Sequence, residues 1–158
     1  MLIETPLLIV GGGAGALVAA RIASAHSLTS LVAGHVPTDD ETPVSLTADS
    51  VTAMGDSLGV LRPYLASTEP PTIAPSVFER VLKHHCVADM NVTVYDGMKL
   101  LDPRVAEDGG VRGVLVESRS RFDVVGDAFL DASTLPTNLN QAIAAASTAV
   151  QQILGADR

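Results

Sequence analysis

The sequence predicts an α/β fold, a mostly parallel sheet with helices packed on it and a small antiparallel β-meander to one side. Three observations predict it. The branched apolar run Leu7–Val10 stops at three glycines, and an Ala-rich segment leads from them to a second apolar run, Leu28–Ala33, which is the order of a βαβ unit. Three β-rich segments then follow at short spacing between residues 98 and 125, and an Ala-rich helix closes the sequence.

Length and composition limit the class of protein. The 158 residues are 47% hydrophobic and 18% charged, a globular composition for which we expect a single domain over residues 1–158. Eighteen acidic against ten basic residues give a formal charge of −8, which argues against a nucleic-acid or anionic-membrane partner. The one cysteine, Cys86, has no partner for a disulfide. The apolar runs are too short to cross a bilayer, so a soluble, cytoplasmic protein is expected.

The first half of the chain is predicted to alternate between strands, helices and proline-rich loops. Leu7–Val10 is continuously apolar and branched, as is typical of a strand buried on both faces. The segment from Ala14 to about His26 is apolar on almost every side and is predicted to be a packed helix. Beyond Ala33 the sequence predicts, in order, a loop over Val36–Pro43, a helix over Leu46–Leu61 that Gly55 and Gly59 weaken, a proline-rich connection over Thr68–Pro75 and a helix over Ser76–Ala88.

The second half is predicted to be mainly β-structure up to the last helix. Asn91–Tyr95 alternates in polarity and is rich in β-branched residues, which predicts a strand. The meander is predicted to contain strands over Met98–Val105, Val111–Glu117 and Arg121–Val125, followed by a separate short strand at Phe129–Leu130 and a helix over Leu139–Leu154 with Gly155 as its C-cap.

The glycine-rich turn after the first strand is the first candidate site. The run Gly11-Gly12-Gly13-Ala14-Gly15-Ala16 fits G-x-G-x-x-G/A, with alanine in the third position. In a dinucleotide-binding turn Gly11 permits the tight turn and Gly13 lets the backbone approach a pyrophosphate, at which the helix N-terminus directs free N–H groups. An ordinary turn is the alternative, but the strand before the glycines and the helix after them favour a dinucleotide site.

The carboxylate that normally completes such a site is absent from its usual position. An Asp or Glu about 20 residues further on, at the end of the second strand, usually binds the adenosine ribose. Here the strand ends in Ala33, Gly34 and His35. The acidic residues 39–41 follow in a proline-bounded loop, where they either reach back to the ribose or are simply solvated. His35 either contacts the ribose or the adenine, or is an ordinary exposed histidine.

Two segments together resemble a known family. Leu8–Arg21 looks like the N-terminal fingerprint of the FAD-binding domain of glutathione-reductase-type flavoproteins. Asp131–Thr137, followed by two asparagines and the last helix, is similar to the C-terminal flavin motif of glucose-methanol-choline oxidoreductases. Gly126-Asp127 is similar to the Gly-Asp pair of thioredoxin-reductase-like members, but the Ala-Ser-x-x-Pro-Thr after Asp131 favours Asp131 as the equivalent acid. The resemblance spans most of the chain and is loose over residues 34–89.

The resemblance implies a Rossmann-like, three-layer FAD-binding fold with FAD as the cofactor. It implies that Asp131 lies near the ribityl chain and pyrophosphate. It also implies that the following helix points its N-terminus at the pyrimidine edge of the flavin, where N–H groups stabilise negative charge on the reduced ring. The cofactor-binding residues expected on this basis are Gly11, Gly13, Ala14, Gly15, Ala33, Gly34, His35, Asp131, Ala132, Pro136, Thr137 and Asn138.

The departures from the family leave two functions open. The sequence lacks the ribose-binding acid, has no room for the substrate domain that the family inserts before its last motif, and shows no His-His or His-Asn catalytic pair. One function is a minimal FAD-binding oxidoreductase, or a flavin-binding subunit of one, whose substrate site needs a second subunit or a second copy of this chain. The other is a non-catalytic, degenerate dinucleotide-binding module that assembles with a partner or senses a nucleotide. An NAD(P)-binding reductase is disfavoured by the flavin-type C-terminal motif.

A cluster of potential metal ligands lies near the end of the predicted helix 76–88. Neighbouring side chains on a helix point in different directions, so His84, His85 and Cys86 cannot all face one ion, whereas His85 and Asp89, at i and i+4, could. A helix end that faces solvent or the core is the alternative, and Cys86 could instead be a redox thiol without a resolving partner. The sequence therefore assigns no metal site.

Overall fold

A computed structural model describes residues 1–156 and contains one main sheet and one small one. Its strands are β1 (Leu2–Val10), β2 (Ser30–Ala33), β3 (Val44–Ser45), β4 (Ser67–Thr68), β5 (Pro71–Ile73), β6 (Val92–Tyr95), β7 (Lys99–Val105), β8 (Val111–Glu117) and β9 (Ser120–Asp131). The main sheet has the order β6-β2-β1-β9-β8-β7, in which β6, β2, β1 and β9 are parallel while β8 and β7 run antiparallel to their neighbours. The predicted α/β fold with a mostly parallel sheet and an antiparallel meander is confirmed.

The helices lie on one face of this sheet. They are α1 (Ala14–Ala25), α2 (Ala48–Met54), α3 (Ser57–Leu61), α4 (Pro75–Ala88) and α5 (Leu139–Ala156). Leu7 and Ile9 of β1 share a buried core with Leu17 of α1, Phe78 of α4 and Ile143 of α5. The period-2 alternation of a strand explains why Leu7 and Ile9 face these helices together. No helix within residues 1–156 is long and apolar enough to cross a membrane.

The apolar side chains of the meander pack on the face of the parallel strands opposite the helices. Leu8, which lies between Leu7 and Ile9, is fully buried in a second core with Leu31 of β2, Leu115 of β8 and Val124 of β9. Because β1 has an apolar layer on each side, its continuous apolar run is the pattern of a strand buried on both faces. Helices, parallel sheet and meander therefore form three layers, with the C-terminal ends of β1, β2 and β9 at one edge.

The last two predicted strands are a single strand. Arg121–Val125 and Phe129–Leu130 were expected to be separate, but β9 runs without a break through the Gly126-Asp127 pair between them. Its residues 120–126 pair with β8 and its residues 123–131 pair with β1, from Leu2 opposite Asp123 to Val10 opposite Asp131. Gly126-Asp127 is therefore inside a strand and not before a helix, which leaves Asp131 at the strand end.

Three further boundaries differ from the prediction. The helix expected over residues 46–61 is broken into α2 and α3 at Gly55, which has a φ of +54° and ends α2. The proline-rich connection contains β4 and β5, which pair with β3 in the small antiparallel sheet. Gly155 was expected to cap α5 but lies inside it, in open space, since a helix accepts an exposed glycine at a cost of about 1 kcal/mol.

Asp89 ties the end of α4 to α1. Its Oδ2 accepts hydrogen bonds from Arg21 and from the Ser24 hydroxyl (2.6 Å), and its Oδ1 accepts one from the N–H of Asn91 (2.8 Å). Burial by itself raises the pKa of this carboxyl, but the hydrogen bonds and the Arg21 charge outweigh burial and hold the pKa below its ordinary 3.8. Asp89 is thus a stabilising anion at neutral pH.

We expect Asp89→Asn to lower the free energy of unfolding by about 1–3 kcal/mol at neutral pH, because Arg21 and Ser24 lose a charged acceptor. The folded pKa is the lower one, so this stabilisation is present above pH 3.8 and is lost as the pH falls through the folded pKa. Urea unfolding of wild type and variant should therefore converge towards acid. Asp96→Asn, which removes the exposed partner of Lys83, is the control and should cost less than about 1 kcal/mol. A loss at Asp89 that does not vary with pH would contradict this account.

Candidate functional site

The glycine-rich turn joins β1 to α1 and is fixed against the end of β2. The N–H of Gly11 donates to the carbonyl of Ala33 (2.9 Å), and the carbonyl of Gly12 accepts from the N–H of Val36 (3.0 Å). Gly11 and Gly12 both have a φ of +74°, a conformation that glycine adopts without the penalty other residues incur. The turn is thus placed at the C-terminal edge of the parallel strands, where α/β folds bind ligands.

The same turn contacts the segment that follows β9. A Cβ atom on Gly12 would lie 2.7 Å from the carbonyl oxygen of Ala132, and one on Gly15 would lie 2.7 Å from Cδ1 of Leu135. No other side chain would fit at Gly12 without a shift of backbone. The structure therefore brings together the two segments that carry the family resemblance, although they are far apart in sequence.

The N-terminus of α1 opens towards this junction. Gly13 precedes the helix and provides no side-chain cap, and the first turn of the helix contains no acidic residue. The first N–H groups of an α-helix have no partner within the helix, and they carry its partial positive charge. Uncapped N–H groups beside glycines are a suitable site for a phosphate.

Asp131 shapes the turn on the other side of the junction. Its Oδ1 accepts hydrogen bonds from the N–H (3.1 Å) and the hydroxyl (2.5 Å) of Ser133, and its backbone carbonyl accepts one from the hydroxyl of Thr134 (2.8 Å). These bonds close a single 3₁₀ turn over Ala132–Thr134 directly after β9. The turn holds Ala132 against the glycines.

The start of α5 is connected to the segment that leads into α2. Oδ1 of Asn140 accepts from the N–H of Thr47 (3.0 Å) and the hydroxyl of Ser50 (2.7 Å), while its Nδ2 donates to the carbonyl of Ser45 (2.9 Å). Asn138 meanwhile accepts the N–H of Gln141 on its side-chain oxygen (3.1 Å). Asn140 thus fixes one side of the opening between α5 and the small sheet.

A groove of about 390 Å³ runs between these elements. Seven of the residues expected to bind the cofactor line it, namely Gly13, Ala14, Gly15, Ala132, Pro136, Thr137 and Asn138. Five others stand behind its wall or beside it: Gly11, Ala33, Gly34, His35 and Asp131. Lining residues that the sequence analysis did not propose as ligands include Gly12, Val36, Thr38, Ser133 and Glu79. Asp40, one of the three acidic loop residues, lies at the groove but is exposed.

The position usually occupied by the ribose-binding acid admits no side chain. Gly34 has a φ of +68°, and a Cβ atom on it would lie 2.8 Å from the carbonyl oxygen of Met98. The missing acid is therefore a consequence of how closely the start of the meander approaches the end of β2. An acid at this position would require the backbone to move.

His35 is buried, so its interpretation as an ordinary exposed histidine is wrong. Its Nε2 lies 3.1 Å from Oε1 of Glu79 on α4, and both side chains are almost completely buried. Glu79 Oε1 also accepts the N–H of Thr38 (3.3 Å). Glu79 was missed because one glutamate on an amphipathic helix is normally solvated. Only its sequence position one helical turn after Pro75, at the ligand edge of the sheet, could have indicated it.

The potential metal ligands near the end of α4 lie in surroundings that suit a structural role. Cys86 is fully buried, its Sγ lies 3.8 Å from the carbonyl of Leu17, and burial raises the pKa of its thiol to about 12. Burial, followed by the Arg21 charge, lowers the pKa of His85. Asp89 is already bound to Arg21 and Ser24. Within residues 1–156 no three His, Cys, Asp or Glu side chains are placed to hold a metal ion.

The groove fits a ligand that carries both phosphate and hydroxyl groups. The glycine turn gives the backbone contact and the α1 N-terminus gives uncapped N–H groups, which together suit a pyrophosphate. Asp40 and Glu79 add acceptors, and no lysine or arginine is among the described residues that line the groove. Phosphate binding would thus depend on backbone N–H groups and on neutral side-chain donors such as the hydroxyls of Thr38 and Thr137, and the carboxylates suit neutral donors such as hydroxyls.

Comparison with solved structures shows where this fold occurs. The flavin-dependent monooxygenase PieE, crystallised with FAD and substrate, superposes with a TM-score of 0.67 at 14% identity over 80% of this chain and 30% of its own. A flavoprotein/dehydrogenase from Cytophaga hutchinsonii gives 0.62 at 12% identity, covering 82% of this chain and 39% of its own. Aklavinone-11 hydroxylase, crystallised with FAD and aklavinone, gives 0.61 at 17% identity over 80% and 32%.

These similarities establish the fold. Neither a protein-family model nor a curated protein sequence matches the chain. The chain spans between 30% and 39% of the length of the three solved structures. It shares the fold of one part of these flavin-dependent proteins.

Proposed function

We propose that this chain is an FAD-binding protein and that the groove between the glycine turn and α5 is its cofactor site. The observation that carries the proposal is the contact between Gly12 and Ala132. This contact joins the strand–glycine–helix unit to the Asp131–Asn138 segment, and residues of both line one groove. Proteins that share this fold have been crystallised with FAD, which supports the same assignment.

The residues of this chain bind and orient the cofactor in the proposal. The N–H groups at the start of α1, beside Gly13 and Gly15, hold the pyrophosphate. Asp131 acts near the ribityl chain with the oxygen that its own turn leaves free, and the segment from Pro136 to Asn138 meets the pyrimidine edge of the flavin. Bound FAD would supply hydride or electron transfer, while the protein supplies position and electrostatics. Residues 1–158 form one FAD-binding unit of the glutathione-reductase type, with a last motif of the glucose-methanol-choline type.

Enclosing a substrate requires more protein surface around the site than this groove provides. The chain spans about a third of the length of solved structures that share its fold. We propose that a second subunit or a second copy of this chain completes the site. The reaction, if one occurs, is an oxidation or reduction through the flavin.

One observation favours the second candidate, a nucleotide-binding module without catalysis. The usual position of the ribose-binding acid is occupied by Gly34, and an acidic side chain there would meet the carbonyl of Met98. A fold that has lost this contact could assemble with a partner or sense a nucleotide without using it for chemistry. The two candidates differ in whether the chain retains flavin.

The test is the absorbance spectrum of the purified protein in the near-ultraviolet and blue regions, before and after incubation with FAD and desalting. We expect flavin bands that remain with the protein after desalting, since FAD bound in the groove contacts both the turn and α5. A protein that is folded by circular dichroism but stays colourless after this treatment would contradict the flavoprotein proposal and favour the module.

A further inference from the structure

The groove contains a buried carboxylate that enters from an unexpected element. Glu79 lies on α4, its residue is 3% exposed, and it lines the groove opposite the glycine turn. A Cβ atom on Gly13 would lie 3.3 Å from Oε1 and 3.4 Å from Oε2 of this carboxylate. The carboxylate therefore lies beside the glycine whose backbone approaches the pyrophosphate in a dinucleotide-binding turn.

The two oxygens of Glu79 have different surroundings. Oε1 accepts hydrogen bonds from Nε2 of His35 and from the N–H of Thr38. Oε2 accepts none within residues 1–156, and Glu79 lines both the groove and a smaller neighbouring cavity. A buried carboxylate normally has its lone pairs occupied by donors. Oε2 is thus an acceptor without a donor, and it lies 3.4 Å from the Cβ position of Gly13, which lines the groove.

His35 holds this carboxylate in place. Donation from Nε2 to Glu79 assigns the ring its Nε2–H tautomer if it is neutral, and Nδ1 is then an acceptor. Nδ1 is buried and has no partner among the described residues. Because His35 directly follows Gly34, the end of β2 contributes to this region by positioning a carboxylate rather than by supplying one.

We propose that Glu79 binds a ribose hydroxyl of a nucleotide in this groove and so replaces the acid that is absent from the end of β2. Oε2 accepts the hydrogen bond, while His35 and Thr38 fix Oε1 and with it the direction of the carboxylate. The groove then takes a ribonucleotide diphosphate with free hydroxyls. It disfavours one that carries a phosphate on the ribose, because that phosphate would meet the carboxylate, while Arg80 and Lys83 line the neighbouring cavity and not the groove. This inference rests on the proposed function only in treating the groove as a nucleotide site.

Two other roles for Glu79 predict different results. If Glu79 only joins α4 to the loop after β2, its replacement changes stability and leaves the preference for ribose hydroxyls unchanged. If it only repels the phosphates, its neutralisation tightens binding of every nucleotide, as would neutralisation of the exposed Asp40 at the same groove. A hydroxyl-binding carboxylate, in contrast, gives a loss that depends on the sugar.

The experiment measures the affinities of ADP and 2′,3′-dideoxy-ADP by isothermal titration calorimetry for wild type, Glu79→Gln, Glu79→Met and Asp40→Asn. We expect wild type to bind ADP roughly tenfold more tightly than dideoxy-ADP, as for one hydrogen bond to a charged group. This ratio should fall severalfold in Glu79→Gln and to about one in Glu79→Met, which keeps the length but has no acceptor. Asp40→Asn should keep the wild-type ratio.

The outcomes separate this inference from the flavoprotein proposal. A ratio near one in wild type, or an equal ratio in wild type and both Glu79 variants, overturns the role of Glu79. So does tighter ADP binding in Glu79→Gln and Asp40→Asn alike. If the protein retains FAD but the ratio of ADP to dideoxy-ADP affinity is the same in wild type and the Glu79 variants, only the flavoprotein proposal is supported. If that ratio depends on Glu79 but the protein does not retain FAD, only the role of Glu79 is supported. If Glu79→Met does not fold by circular dichroism, the isosteric Glu79→Gln decides the result.

Discussion

Changing Gly13 to aspartate is expected to weaken FAD binding by roughly a hundredfold or more. The new carboxylate would lie beside the pyrophosphate of FAD, and two like charges about 4 Å apart at the protein surface repel by about 4 kcal/mol. The new side chain starts at a point 3.3 Å from the carboxylate of Glu79 and enters the space at the uncapped N-terminus of α1. It would occupy the N–H groups proposed for the pyrophosphate and place an anion beside them. Flavin fluorescence quenching against protein concentration measures the loss.

The matched control for this variant is Gly59→Asp. Gly59 is an exposed residue of α3, and a Cβ atom on it would have nothing within 4 Å. The same substitution there changes the net charge equally and should leave the dissociation constant for FAD within about twofold of wild type. Equal affinities for wild type and Gly13→Asp, with both folded by circular dichroism, would remove the glycine turn from the cofactor site.

Changing Phe78 to alanine is expected to lower the free energy of unfolding by about 3–5 kcal/mol, the usual loss for a large aromatic side chain in a core. Phe78 is fully buried with Leu82 and Cys86 on the inner face of α4. A domain of this size is stable by only about 5–15 kcal/mol, so the variant should lose a large fraction of its stability. Urea unfolding followed by circular dichroism gives the value.

Phe122→Ala is the control for the core substitution. Phe122 packs on the second core, between sheet and meander, but is only half-buried, so its loss should cost about 1–2 kcal/mol. Because Phe78 precedes Glu79 on α4, its removal should also loosen the groove wall, and FAD should restore part of the stability by binding only the folded state. A loss at Phe78 no larger than that at Phe122 would show that α4 is not fixed by this core.

The parallel half of the fold could be predicted because its signals are local. Leu7–Val10, the glycines and the Ala-rich helix follow one another directly in sequence, and the structure has this order, although β1 begins earlier, at Leu2. The two ends of β9 were predicted as separate strands, but their continuity could not be, because Gly126 and Asp127 are turn-type residues. In the structure a Cβ on Gly126 would lie 3.0 Å from Leu8 and from Val111. This glycine is therefore required by close packing between neighbours that are distant in sequence.

The candidate site was predictable to a similar extent. Its glycines and the segment after Asp131 have recognisable motifs, and the structure brings most of them to one groove. Glu79 has no motif, because its partner His35 is distant in sequence and the pair exists only when α4 packs beside β2. Likewise, the sequence shows that Gly34 is not an acid, but only the approach of the Met98 carbonyl explains why.

The pairing of β1 with β9 also determines when the molecule can finish folding. Leu2 is opposite Asp123 and Val10 opposite Asp131, so the central strand has an unsatisfied edge until β9 has been synthesised. At about 5–20 residues per second, that interval lasts roughly 6–25 seconds. During it the apolar run Leu7–Val10 is open to pairing with another nascent chain. Until β9 emerges, the open edge of β1 is therefore the aggregation risk that this strand order creates.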